Sequence, residues 1–122
     1  VSYQIRTIKE PQYTRLEITG EVRAGTAKQV AQEVISAYIK DPVQRLLVDV
    51  RGLAIRVGPT ETVEMVTSYR DLLKGVRSGR TAVVYSEGDY EALRFYETVA
   101  RNREYQTEIF TDMAQAVTWL DS

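Results

Sequence analysis

The six residues Arg45-Leu46-Leu47-Val48-Asp49-Val50 form a nearly unbroken apolar run, preceded by Asp41-Pro42 and followed by Gly52. A strand with one face in water alternates apolar and polar residues, whereas a strand covered on both faces need not. The run therefore predicts a central strand of a sheet packed on both sides. Arg80 to Tyr85 has the same character and predicts a second such strand.

Helical spacing fills the gaps between these runs. From Ala24 to Lys40, the residues Ala27, Val30, Val34, Ala37 and Tyr38 fall on one stripe. Thr26 with Gln29 fits a capping box, and Asp41-Pro42 stops the helix because helical geometry is disfavoured before Pro. Pro59 to Lys74 repeats the pattern with Val63, Val66, Tyr69 and Leu73 inward. Pro59 occupies the first turn, where its missing N–H has no helical partner to lose. Glu61 and Glu64 suit the positive end of the dipole, Lys74 suits the negative end, and Gly75 is placed just past it. Ser86 to Arg103 is a third helix, with Leu93, Tyr96, Val99 and Ala100 inward. Asp112, with Gln115 at the capping-box position, opens a short last helix that buries Met113, Ala116, Val117 and Leu120 beside Trp119. Tyr3 to Lys9 and Tyr13 to Thr19 alternate in polarity around the turn Glu10-Pro11-Gln12, which predicts an antiparallel pair ended by Gly20. Tyr105 to Phe110 is the last strand. The order ββαβαβαβα is that of a mixed five-stranded α/β sheet in one domain, residues 1–122. From the second strand onward it is wound as right-handed parallel βα units.

Composition removes several chemistries. The 122 residues include no Cys and no His, so disulfides, thiolate nucleophiles, imidazole bases and zinc sites built on either ligand are excluded. Sixteen basic and seventeen acidic side chains leave a formal charge of −1, which supplies no long-range field for nucleic acid. No apolar run approaches the roughly 18 residues that suggest a bilayer span, and the cytoplasm is the expected location. No metal and no cofactor are expected.

In open α/β sheets, ligands bind beyond the carboxyl ends of the parallel strands. The binding candidates there are Arg23, Asp49, Arg51, Arg56, Thr60 and Ser86. The stretch from Asp49 to Thr60 reads as the longest connection. Its Arg51 and Arg56, with the helix starting at Pro59, could hold a phosphate or carboxylate. The structural alternative is a surface loop in which Asp49 pairs with a neighbouring Arg. Asp49 ends a buried strand, a common place for a catalytic or metal-binding carboxylate, but no Asp-x-Asp pair accompanies it. Dinucleotide, P-loop and Gly-x-Ser-x-Gly spacings are all missing.

Leu16-Glu17-Ile18-Thr19-Gly20-Glu21-Val22, then Leu46-Leu47-Val48-Asp49-Val50-Arg51-Gly52 and Ala82-Val83-Val84, each separated by a helix, resemble STAS-like domains. These are typified by bacterial anti-sigma-factor antagonists of the stage II sporulation protein AA type. Ile109-Phe110-Thr111-Asp112, with Ala116 and Trp119-Leu120, is similar to a STAS/SEC14 branch of short bacterial proteins. The resemblance implies a βα superhelix. It also implies a phosphorylated Ser in an Asp-Ser pair at the helix after the central strand. This chain reads Arg56-Val57-Gly58-Pro59-Thr60 there, with no Asp-Ser pair, and Thr60 is the nearest hydroxyl and phosphorylation candidate. The SEC14 comparison implies lipid carriage, for which a core of this size has no room.

Three readings follow. The first is a non-enzymatic regulatory or protein-interaction domain acting through the loop from Asp49 to Thr60 and the next helix, with a protein partner or a homodimer. The second is a binder of a small anion or lipid head group, using Arg23, Arg51 and Arg56. The third, an enzyme built on Asp49, needs a second carboxylate or a metal nearby.

Overall fold

The computed structural model describes residues 2–42, 44–73 and 79–122. Its elements are β1 (Tyr3–Lys9), β2 (Thr14–Arg23), α1 (Ala24–Lys40), β3 (Arg45–Asp49), β4 (Leu53–Arg56) and α2 (Pro59–Leu73). There follow β5 (Arg80–Val84), a single 3-10 turn at Glu87–Asp89, α3 (Tyr90–Asn102), β6 (Thr107–Phe110) and α4 (Met113–Asp121). The sheet order is β1-β2-β3-β5-β6, with β1 antiparallel and the rest parallel. The expected mixed α/β sheet is present.

The central strand shows why its sequence does not alternate. Leu46 and Val48 enter the core under α1, α2 and α3, whereas Leu47 faces Ala116 and Leu120 of α4 on the other side. Leu46 and Leu47 are both fully buried. Each such side chain contributes about 1.5–3 kcal/mol relative to exposure.

The sheet has six strands, not the five expected. β4 lies inside the stretch read as loop and pairs in parallel with the second half of β2, Gly20 opposite Leu53 through Arg23 opposite Arg56. That second half exists because Gly20 does not end β2. Its φ of +99° lets the backbone bend without a side-chain clash, and the strand continues to Arg23. α1 starts and stops where expected, but its cap differs. Arg23 is the N-cap, and the Thr26 hydroxyl accepts its N–H at 3.2 Å instead of pairing with Gln29. Ala31 and Ile35 take interior positions, leaving Val34 and Ala37 half-buried. In α2, Thr62 is buried where Val63 was expected, because its hydroxyl reaches the Gly58 carbonyl at 3.0 Å. Lys74 and Gly75 lie outside the described residues. The expected third helix starts four residues later, after the 3-10 turn, and β6 begins at Thr107 instead of Tyr105. Asp112 caps α4 as expected, accepting Gln115 N–H at 3.0 Å.

The two outer strands are treated differently. At β6, the Ile109 N–H donates to Glu97 at 2.9 Å, and Arg101 donates to the Thr107 carbonyl at 2.8 Å. Side chains of α3 thus occupy backbone groups that an edge strand otherwise offers to another chain. Among the described residues, β1 has no such cover.

Candidate functional site

The carboxyl ends of β2, β3, β4 and β5 hold the side chains singled out from the sequence, sorted into two clusters. In the first, the register of β2 against β4 places Arg23 beside Arg56. Both donate to Glu21, Arg23 to one carboxylate oxygen and Arg56 to the other at 2.8 Å. The hydrogen bonds from Arg23 and then Arg56 hold the Glu21 carboxyl below the usual range.

In the second, Asp49 ends β3 and is buried. Arg51 folds back onto it across the turn, donating from Nε at 3.0 Å, from Nη2 at 2.8 Å and from its own backbone N–H at 3.1 Å. Burial by itself pushes the Asp49 carboxyl up. The hydrogen bonds and positive charge of Arg51, with a smaller pull from Arg15, outweigh it and hold the group below the usual carboxylate range. Ser86 donates to the Arg51 carbonyl at 3.2 Å and so ties the turn to the end of β5. Asp49 is therefore a deprotonated structural anchor at neutral pH, without the raised pKa of a general acid. Among the described residues, no three acidic side chains gather as a metal site.

Thr60 is exposed in the first turn of α2 and joins neither cluster. At the N-terminus of that helix, Glu61 turns back and accepts the Gly58 N–H at 3.0 Å. Glu61 was noted in the sequence only for its charge. Its return to Gly58 matches the spacing of a capping box.

Behind this edge, between the sheet and α1, α2 and α3, lies a cavity of about 110 Å³ lined by residues such as Ile18, Val30, Val48, Leu53 and Met65. Its wall carries Tyr69 and Tyr96, whose hydroxyls meet at 3.0 Å. Burial pushes both phenols up. Among the described residues, no charged side chain lines the cavity, so it does not suit an anion.

An anti-sigma factor antagonist from Mycobacterium paratuberculosis has a similar structure, with a TM-score of 0.68 at 16% identity over 99% of this chain and 96% of that one. The anti-sigma factor antagonist SpoIIAA in its unphosphorylated form gives 0.59 at 13% identity, over 98% and 96%. The chain has a SpoIIAA-like fold. An uncharacterized DUF3478-family protein from Shewanella loihica, itself described as SpoIIAA-like, gives 0.53 at 20% identity, over 98% and 94%. No protein-family model and no curated protein matches the sequence. Among the described residues, no helix of this SpoIIAA-like fold is long and apolar enough to cross a membrane.

The Asp49 anchor makes a pH-dependent prediction. Asp49→Asn is expected to lower stability by about 1.5–3 kcal/mol at pH 7, the range for hydrogen bonds to a charged group. The folded-state pKa is depressed, so this stabilisation is present above the unfolded value of about 3.9 and fades as pH falls through the folded one. Urea melts at pH 7 and pH 2.5 check this. A wild-type advantage of unchanged size at pH 2.5 contradicts the assignment.

Proposed function

We propose that this chain is a non-enzymatic regulatory or protein-interaction domain of STAS-like type. The observation that carries the reading is the mutual neutralisation of the candidate site. Asp49 is spent on Arg51, and Glu21 on Arg23 and Arg56, so these side chains form no uncommitted acid–base pair among the described residues. Similarity to two anti-sigma factor antagonists over nearly the whole chain supports a protein partner.

Binding of a small anion or lipid head group needs guanidinium groups free to turn toward it, and these three would first have to leave carboxylates. A phosphate on Thr60 would meet the Glu61 carboxylate in the same turn, while Arg56 is held by Glu21. Apart from Pro59, the exposed residues of α2, Thr60, Glu64, Thr67, Arg70 and Asp71, are polar. That face offers no apolar anchor of the kind that dominates interface energies, which moves the search for the partner surface elsewhere on the molecule.

Native mass spectrometry of the protein purified with its associated molecules tests the reading. The expected spectrum shows the chain alone or with another polypeptide. A reproducible small-molecule adduct that disappears in Arg51→Ala or Arg56→Ala overturns it in favour of ligand binding.

A further inference from the structure

At the ends of the strand order, β1 is the outer strand that α3 does not cover, and its backbone groups can be assigned one by one. Glu21 N–H donates to the Ser2 carbonyl at 2.8 Å, and Glu10 N–H to the Tyr13 carbonyl at 2.9 Å. In an antiparallel ladder, hydrogen-bonded and non-bonded pairs alternate. With the register running from Tyr3 opposite Gly20 to Lys9 opposite Thr14, Gln4, Arg6 and Ile8 bond to β2. Tyr3, Ile5, Thr7 and Lys9 therefore turn their N–H and C=O groups outward, and these have no backbone partner among the described residues.

The same residues direct their side chains toward α1, as the burial of Tyr3 and the packing of Ile5 against the helix-side core show. Between β1 and α1 runs a groove of about 460 Å³ with Ile5, Thr7, Leu16 and Ala37 along it and Lys9 and Lys40 in its lining. The Tyr3 hydroxyl bonds Glu33, and Lys9 stands 3.6 Å from Asp41, so β1 and α1 run in the same direction and both lysines sit at one end. Glu33 at the other end is held by Tyr3. Lys40 has no ion pair among the described residues.

Resting on the protein-interaction reading above, we propose that the β1 edge binds an extended segment of a partner protein that adds as a further strand. Its alternate apolar side chains would lie in the groove against Ile5, Leu16 and Ala37, with a carboxylate beside Lys40. Main-chain bonds supply affinity in this mode, and the pockets for alternate side chains supply selectivity. Charge favours an acidic partner over a second copy of the chain. The self-pairing register that uses all four outward residues sets Tyr3 against Lys9 and places Arg6 directly opposite Arg6, a destabilising like-charge pair.

The test titrates the intact ¹⁵N-labelled protein with an acetylated, amidated heptapeptide, Asp-Val-Thr-Val-Thr-Val-Asp, and with its counterpart carrying Lys in place of Asp. Amide exchange is read residue by residue. The acidic peptide is expected to slow exchange at Ile5, Thr7 and Lys9 at least tenfold, leave Gln4, Arg6 and Ile8 little changed, and bind at least tenfold tighter than the basic one. Thr7→Pro removes an outward N–H without touching the ladder to β2, and should weaken binding at least tenfold with circular dichroism unchanged. Lys40→Glu, an exposed change that leaves β1 intact, should narrow or reverse the preference between the peptides. Absence of protection at millimolar peptide, or affinity indifferent to both variants, overturns the proposal. So does a concentration-dependent dimer without peptide that Thr7→Pro abolishes, which assigns the edge to a second copy. A polypeptide seen bound in native mass spectra whose affinity ignores Thr7→Pro and Lys40→Glu sinks the edge proposal while leaving the interaction-domain reading standing.

Discussion

Leu120→Ala is expected to lower the unfolding free energy by about 3–4 kcal/mol, within the range for removing a buried Leu side chain. Leu120 is fully buried and, with Ala116, presses α4 onto Leu47, Ala82 and Val84. α4 has nine residues, too few to remain helical in water without packing. Its loosening should reach Trp119, whose ring lies 5.9 Å from Phe110 and 5.3 Å from the Arg80 guanidinium. The check is urea denaturation followed by fluorescence of this single tryptophan, with a lower midpoint and a red-shifted native spectrum. A loss under about 1 kcal/mol, less than the usual cost of such a deletion, contradicts the assignment of Leu120 as the anchor.

Gly20→Ala should cost about 2–4 kcal/mol, since a positive φ penalises any side chain and steric insertion adds to it. A Cβ at this position would collide with the Ser2 carbonyl oxygen and stand 2.9 Å from the Tyr3 Cα, both backbone atoms, just before and at the start of the strand it pairs with. Gly25→Ala provides the contrast. It lies in the first turn of α1 with open space where its Cβ would go, and should be neutral or stabilising by up to about 1 kcal/mol. Thermal or urea melts of the two variants decide the matter, and equal effects would refute the bend at Gly20.

Much of this architecture is legible before any coordinates. The apolar run at Leu46 to Val50 announces a strand covered on both faces, and Asp112 marks the beginning of α4, whereas the capping box read at Thr26 misplaced the cap of α1, which is Arg23. The missed strand β4 had a signal. Leu53 and Ile55 face inward and Ala54 and Arg56 outward, a period-two pattern hidden by its length of four residues and by Gly52 and Gly58 on either side. Gly20 was misleading because Gly also serves inside strands, wherever the backbone must bend. At the candidate site, the sequence singled out side chains that the fold brings to one edge, Thr60 apart, but not their partners. Asp49 and Arg51 are two residues apart, and pairing them was a foreseeable alternative. The meeting of Glu21 with Arg56, 35 positions away, depends on β2 pairing with β4, a strand too short for its sequence pattern to announce. The uncovered edge of β1 was also out of reach, because it depends on sheet order, which the pattern of elements alone leaves open.

The closed edge at β6 also limits how large an assembly can grow. A sheet with two bare edges can stack head to tail, the last strand of one molecule against the first of the next, and such a contact repeats without end into a filament. Here Glu97 and Arg101 occupy one of the two surfaces that this repeat requires. At the ends of its strand order, the molecule can accept one added strand and cannot pass the invitation on. A strand that joined at β1 would therefore meet a closed edge at the far end of the strand order, and this repeat could not propagate through β6.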